Sequence, residues 1–272
     1  MFASVYFACA DDGIGRFDRS TLSQQDLMEL FIFGLNEPEK ICGSRDDPDD
    51  VCEWRCATCN DDGEVEEFHW VFKGDDGTGT LGFEFFPWSI KNVHMFGNAL
   101  SGTIQLADLP GQIEVVSLSV NKLTGSLDLD SLPAAVRRID LSRNEFNGEI
   151  SLEHLPKCLE YLALAHNHLN GTICLTSLPP VLDYICLTEN NLVGSLDFTR
   201  LPKSICTMEL SENRFSGTID LGNLPASMEH LDARKNALSG RVQVPEHLYP
   251  GLDADLYVHW FEQNKDLVVE RV

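Results

Sequence analysis

An asparagine returns every 23 residues through most of this chain, at Asn98, Asn121, Asn144, Asn167, Asn190, Asn213 and Asn236. A glycine follows each one four residues later, at Gly102, Gly125, Gly148, Gly171, Gly194, Gly217 and Gly240. A fixed period of this length means one short unit stacked on copies of itself, because such a unit cannot bury its apolar face alone. The fold must therefore be a solenoid.

Aligned on the asparagine, each turn carries an apolar pair one residue apart, such as Ile139 and Leu141, Leu162 and Leu164, Ile185 and Leu187, or Met208 and Leu210. Polar neighbours alternate with the pair, which is the period-2 pattern of a strand with one buried face. Successive turns then pair these strands into a parallel sheet along one wall. The asparagine amide carries a donor and an acceptor, so one per turn can bridge buried backbone groups of adjacent coils. An apolar residue two positions on, such as Phe146 or Leu169, fills the interior, and the glycine permits a positive φ or a close approach. Leu-Pro follows at Leu109-Pro110, Leu132-Pro133, Leu155-Pro156, Leu178-Pro179, Leu201-Pro202 and Leu224-Pro225, where an outer-wall turn costs no ladder hydrogen bond.

Leu-x-x-Leu-x-Leu-x-x-Asn-x-Leu-x-Gly resembles the leucine-rich repeat, and the Gly-x-Ile that follows is similar to its plant-type subclass. Two departures stand out. The period is 23 instead of the plant-type 24, and the usual Ile-Pro is missing, with Ser151 after Ile150 and Cys174 after Ile173. The phrase from Gly217 to Pro225 resembles repeats of short protist proteins of this type. The resemblance implies an α/β-type, mostly β, right-handed coil with a concave parallel sheet, short convex-side strands and capped ends. Residues 1–22 are expected as an N-terminal arm, 23–66 as a helical, Cys-rich cap, 67–244 as about eight turns of solenoid, and 245–272 as the closing cap.

Stepping back 23 residues from Asn98 places Asp75 on the ladder as an eighth rung, with Gly79 on the glycine column and Trp70 and Phe72 on the strand. That phase accounts for Gly77 to Gly82, which match Gly-x-Gly-x-x-Gly but lack the strand, helix and βαβ context of a dinucleotide site. Upstream, Ser23 to Asp26 read as a helix start, with Leu27, Leu30 and Phe31 on one face and Gly34 as the stop. Cys52, Trp54, Cys59, Gly63 and Val65 match the amino-terminal cap of plant-type repeats, whereas Cys56 and Ala57 stand where that cap has Gly-Val. The resemblance pairs Cys52 with Cys59 as a disulfide; a zinc site built from Cys42, Cys52, Cys56 and Cys59 is the competing reading.

A formal net charge of −23 argues against nucleic acid or an anionic membrane surface as partner. The acidity is concentrated early: before position 90 there are 20 acidic and 6 basic residues, a balance of −14. No run approaches the length of an apolar membrane span. The runs such as Asp46-Asp47-Pro48-Asp49-Asp50 read as solvated loop, since none has calcium-loop spacing. Cys158, Cys174, Cys186 and Cys206 occupy different repeat positions, so no ladder of bridges is expected, and free thiols favour a reducing, intracellular compartment such as the cytoplasm. A secreted or surface protein is the alternative. Met1 to Ala10 end in Ala8-Cys9-Ala10, yet lack the positive region of a signal peptide, and Asn170-Gly171-Thr172 reads as a turn, not a glycosylation site.

Specificity must lie in the residues that vary between rungs. Those flanking the apolar pair point onto the concave sheet, where Arg138, Arg143, Tyr161, His166 and Tyr184 cluster at the centre and Glu189, Glu209 and Glu212 form an acidic strip beyond them. Tyr and Arg dominate interface energetics, so the expected function is a non-enzymatic interaction module or assembly subunit that binds another protein, with no cofactor and no metal. A hydrolase using Cys186 with His166, or Asp140, is the remote alternative; those residues fall in different columns with no glycine-rich pocket beside them.

Overall fold

The computed structural model describes residues 21–244 and 261–271, so the predicted arm, the Met1 to Ala10 segment and most of the closing cap lie outside the described residues. The chain winds into a solenoid with a parallel sheet on each of two walls. The front sheet takes one strand from each turn: Val65–His69, Asn92–His94, Val115–Ser117, Arg138–Asp140, Tyr161–Ala163, Tyr184–Cys186, Thr207–Glu209 and His230–Asp232. The back sheet takes Thr78–Gly79, Ala99–Thr103, Lys122–Ser126, Glu145–Glu149, His168–Thr172, Asn191–Gly194, Arg214–Gly217, Ala237–Val244 and Asp266–Arg271. Strands this short are not stable singly; each is held by the turn on either side. Between the walls the apolar pair and the residue two places after the asparagine, as in Ile139, Leu141 and Phe146, are fully buried in one continuous core.

Asn144 shows how the turns are joined. Its Nδ2 donates to Leu118 O of the preceding turn at 3.0 Å and to Leu141 O of its own at 3.1 Å, while its Oδ1 accepts from Leu123 N at 3.0 Å. Asn121, Asn167, Asn190, Asn213 and Asn236 repeat these bonds. Each rung carbonyl thus accepts from two successive asparagines, as Leu118 O does from Asn121 and Asn144, while each amide oxygen satisfies one buried N–H of the turn before. The residue just before the asparagine is left-handed in every such turn: Val120, Arg143, His166, Glu189, Glu212 and Lys235 have φ between +51 and +57. That region is unfavourable for L side chains, so the rung bonds hold it in place. The glycine column is constant because its backbone is left-handed in every turn, with φ between +80 and +96 from Gly102 to Gly240; at Gly194 an added Cβ would also lie 2.9 Å from Thr172 Cγ2 of the turn before.

Two ends of the ladder differ from expectation. Phe68 pairs with Val93 and His69 with His94, an offset of 25 residues, so the first turn carries two extra residues. The strand's buried residues are accordingly Phe68 and Trp70, whereas Phe72 is 73% exposed with φ +53, the left-handed position. By that register Lys73, not Asp75, stands where later turns have the asparagine, just after left-handed Phe72. Its N–H gives Asn98 Oδ1 (2.8 Å) the bond that the residue two places further on makes in other turns, and Asp75 lies in a 3-10 turn over Gly74–Gly77 that absorbs the insertion. At the other end the ladder does not stop at Asn236. Asn264 Oδ1 accepts from Leu238 N at 3.1 Å and its Nδ2 donates to Ala233 O at 3.0 Å. With Gln263 at φ +61 before it, Asn264 adds a further rung after Asn236.

The N-terminal cap docks on the first turn. Helix α1 (Gln24–Ile32) starts with a reciprocal cap, Ser23 Oγ accepting from Asp26 N and the Asp26 carboxylate from Ser23 N, both at 3.1 Å. It buries Leu27, Met28, Phe31 and Ile32, with the Phe31 ring 4.4 Å from Phe86 and 5.3 Å from Phe68. Gly34 does not end the helix through a left-handed cap; a Cβ there would lie 2.5 Å from Thr80 O, so its role is close approach to the back sheet. Ala57–Cys59 pairs antiparallel with Val65–His69 and covers the open edge of the front sheet. Cys52 and Cys59 are joined in a disulfide, while Cys42 and Cys56 are buried free thiols, burial pushing Cys56 up to about 12. Gly77 to Gly82 run from that 3-10 turn through Thr78–Gly79, with no α-helix after them.

Candidate functional site

Register builds the centre of the front sheet. Parallel pairing aligns Arg138, Tyr161, Tyr184, Thr207 and His230 in one column, and Asp140, Ala163, Cys186, Glu209 and Asp232 in the next but one. The Tyr161 and Tyr184 rings stack at 4.4 Å with 5° between their planes, and the Arg138 guanidinium lies 4.2 Å over the outer face of Tyr161. Ala163, Ala165 and Cys186, expected on the open surface, are instead buried as a small apolar floor against the two tyrosines. They are short, so the larger rings of the neighbouring column fold over them. Burial raises the pKa of both phenols, which stay neutral donors at ordinary pH.

The other predicted residues sit on the left-handed turn beside the sheet. His166 Nε2 lies 3.1 Å from Arg143 Nη2, and its Nδ1 lies 2.7 Å from Glu189 Oε2. A guanidinium can only donate, so Nε2 must carry the lone pair and Nδ1 the proton that meets Glu189. Glu212 pairs with Lys235. The acidic strip therefore divides. Glu189 and Glu212 are engaged by partners one turn away, whereas Glu209 on the strand accepts from Cys186 Sγ at 3.1 Å and has no cation partner among the described residues.

The catalytic alternative does not assemble. Burial pushes the Cys186 thiol up to about 11, so it is no thiolate at neutral pH. Its hydrogen goes to Glu209, His166 is occupied on both nitrogens, and Asp140 accepts from Ser142 N at 3.0 Å. Among the described residues no three His, Cys, Asp or Glu side chains are grouped to hold a metal, and no helix is long and apolar enough to cross a membrane.

Toward the N-terminal end lies a feature the sequence phase concealed. Because the first turn is 25 residues, His69 falls beside His94. The rings stack at 4.5 Å, and burial, followed by the neighbouring His69, lowers the pKa of His94 and keeps it neutral. A shallow hollow of about 230 Å³ follows, lined by His94, Val115, Ser117, Arg138, Asp140 and Tyr161. Phe72 and Phe96 meet edge to face at 4.9 Å beyond it.

No protein-family profile matches the chain, and no curated protein matches it. Solved structures do. The chain is similar to a plant ice-binding protein, with 18% identity, a TM-score of 0.54, and coverage of 92% of this chain and 97% of that one. It is also similar to the Arabidopsis receptor kinase HAESA, solved with the peptide hormone IDA and the co-receptor SERK1, at 22% identity and TM-score 0.52, covering 82% of this chain and 40% of that one. At such identities the likeness is one of fold.

Proposed function

Because the chain folds as a leucine-rich repeat solenoid, we propose that it is a non-enzymatic recognition module that takes a protein partner across its front sheet. The observation that carries this reading is the Arg138–Tyr161–Tyr184 stack, two half-buried rings and an exposed guanidinium set in register on the front sheet. A solenoid turn forms with any polar residue in that column, so the fold does not require two tyrosines there. Large, stiff, amphipathic rings lose little entropy on binding, which suits them to anchor a partner. The receptor of like fold, solved with a peptide hormone and a co-receptor, fits such a use. Tyr161→Ala and Tyr184→Ala together are expected to reduce partner recovery from source-cell lysate at least tenfold, with the melting transition retained. Undiminished recovery by the folded variant would place docking elsewhere.

An extracellular or surface setting is a second reading, favoured by the Cys52–Cys59 bridge in the cap, since such bridges persist in oxidising compartments. Protein taken from its source under non-reducing conditions is then expected to resist alkylation at Cys52 and Cys59. Labelling of both without reductant would return the chain to a reducing compartment.

A further inference from the structure

The tyrosine stack has two ends, and among the described residues only one is occupied. Arg138 covers the outer face of Tyr161 at 4.2 Å. On the far side of Tyr184 the column continues with the short Thr207 and then His230, and among the described residues no aromatic ring or cation is stacked on that ring face. Glu209 stands two residues along the same strand and accepts from Cys186 Sγ, on the strand of Tyr184, at 3.1 Å, and no cation of the described residues pairs with it. Of the other charged groups on the next strand, Asp232 is held by Arg234 in two bonds of 2.9 and 2.8 Å.

Resting on the docking reading above, we propose that the Thr207 side of Tyr184 is a seat for a cationic side chain, a guanidinium above all, of a basic segment of the protein partner. The molecule already displays the geometry at the opposite end of the stack: a planar cation prefers the negative face of an aromatic ring, as Arg138 does on Tyr161. A second cation on Tyr184 would complete a four-layer stack and meet the carboxylate of Glu209. Long-range charge selects the same ligand, because a chain of net charge −23 draws basic segments toward it and repels acidic ones.

The probe is a fluorescein-labelled tetra-arginine peptide with blocked ends, titrated at near-physiological salt and read by anisotropy. Three variants test the seat: Tyr184→Leu removes the ring, Glu209→Gln removes the charge, and Thr207→Tyr fills the space with a further ring. Each is expected to weaken binding about five- to tenfold, with thermal melting checked in parallel. Glu145→Gln, on the exposed back sheet, controls for general attraction to an acidic surface. The seat is overturned if wild type does not bind the peptide, or if the three variants lose no more than Glu145→Gln does. The docking reading fails separately. A partner lost with Tyr161→Ala but indifferent, as is the peptide, to Thr207→Tyr and Glu209→Gln would overturn the cationic seat and leave docking intact.

Discussion

Asn167→Leu is expected to lower the free energy of unfolding by about 2–3 kcal/mol, read from the midpoint of chemical denaturation. The two side chains share the same branched skeleton of four heavy atoms, so the change is chiefly one of hydrogen bonding. Asn167 Nδ2 donates to Leu141 O and Leu164 O, each at 3.1 Å, and its Oδ1 accepts from Phe146 N at 3.1 Å. Leu141 O and Leu164 O keep a second donor, the Nδ2 of Asn144 and of Asn190, but the buried Phe146 N–H loses its acceptor, and an unsatisfied buried group costs roughly 1–3 kcal/mol. Water cannot replace the amide, because the asparagine itself is 5% exposed and Leu162, Leu164 and Leu169 around it are fully buried. The position matters as well. In a solenoid each turn is stabilised by its nearest neighbours, so a defect in the middle weakens contacts on both sides. Asn236→Leu, where the rung amide is only partly buried, should cost about half as much. A loss below about 1 kcal/mol at Asn167 would mean that the rung is dispensable.

The same amides explain why so much of the fold is legible in the sequence. Asparagine is demanded once per turn by one buried N–H and by carbonyls shared with the rungs on either side, so its spacing reports the length of every regular turn. That logic ends where a turn changes length. Stepping back by 23 put Asp75 on the ladder, yet the first turn has 25 residues and Lys73 holds the position. Alternation could not reveal the error, since Phe68/Trp70 and Trp70/Phe72 have the same period-2 parity. Asn264 was hidden for a related reason: Asp266 and Val268 stand where the template has an apolar residue and glycine. At the candidate site, the column shared by Arg138, Tyr161 and Tyr184 follows from phase alone. The burial of Ala163 and Cys186 does not, because it depends on how large the neighbouring side chains are. The engagement of Glu189 by His166 and of Glu212 by Lys235 was readable in principle, since each pair is one period apart.

The cap gives the second large effect. Gly79→Ala is expected to cost about 3–4 kcal/mol and to open the N-terminal cap to protease ahead of the solenoid. Gly79 has φ +117, where a Cβ is unfavourable by roughly 1–2 kcal/mol whatever the space. The space is also taken: the added Cβ would lie 2.5 Å from Gly34 O and 2.7 Å from Leu35 Cα. Both are backbone atoms, and neither can swing aside as a side-chain tip could. They are fixed by the bonds that dock the cap, Thr80 N to Gly34 O at 2.9 Å, Asn36 N to Thr78 O at 3.0 Å and Gly82 N to Phe31 O at 3.1 Å. Relief therefore requires the segment after α1 to lift, which would loosen Phe31 from Phe68 and Phe86 and expose the first turn of the core. Gly63→Ala separates the two contributions, because Gly63 has φ +78 but nothing within 4 Å of the added Cβ. It should cost about 1 kcal/mol and leave the cap closed. If the two substitutions destabilise equally, and early cleavage after residue 33 is not seen in the Gly79 variant, the cap does not dock through the Gly34–Gly79 contact.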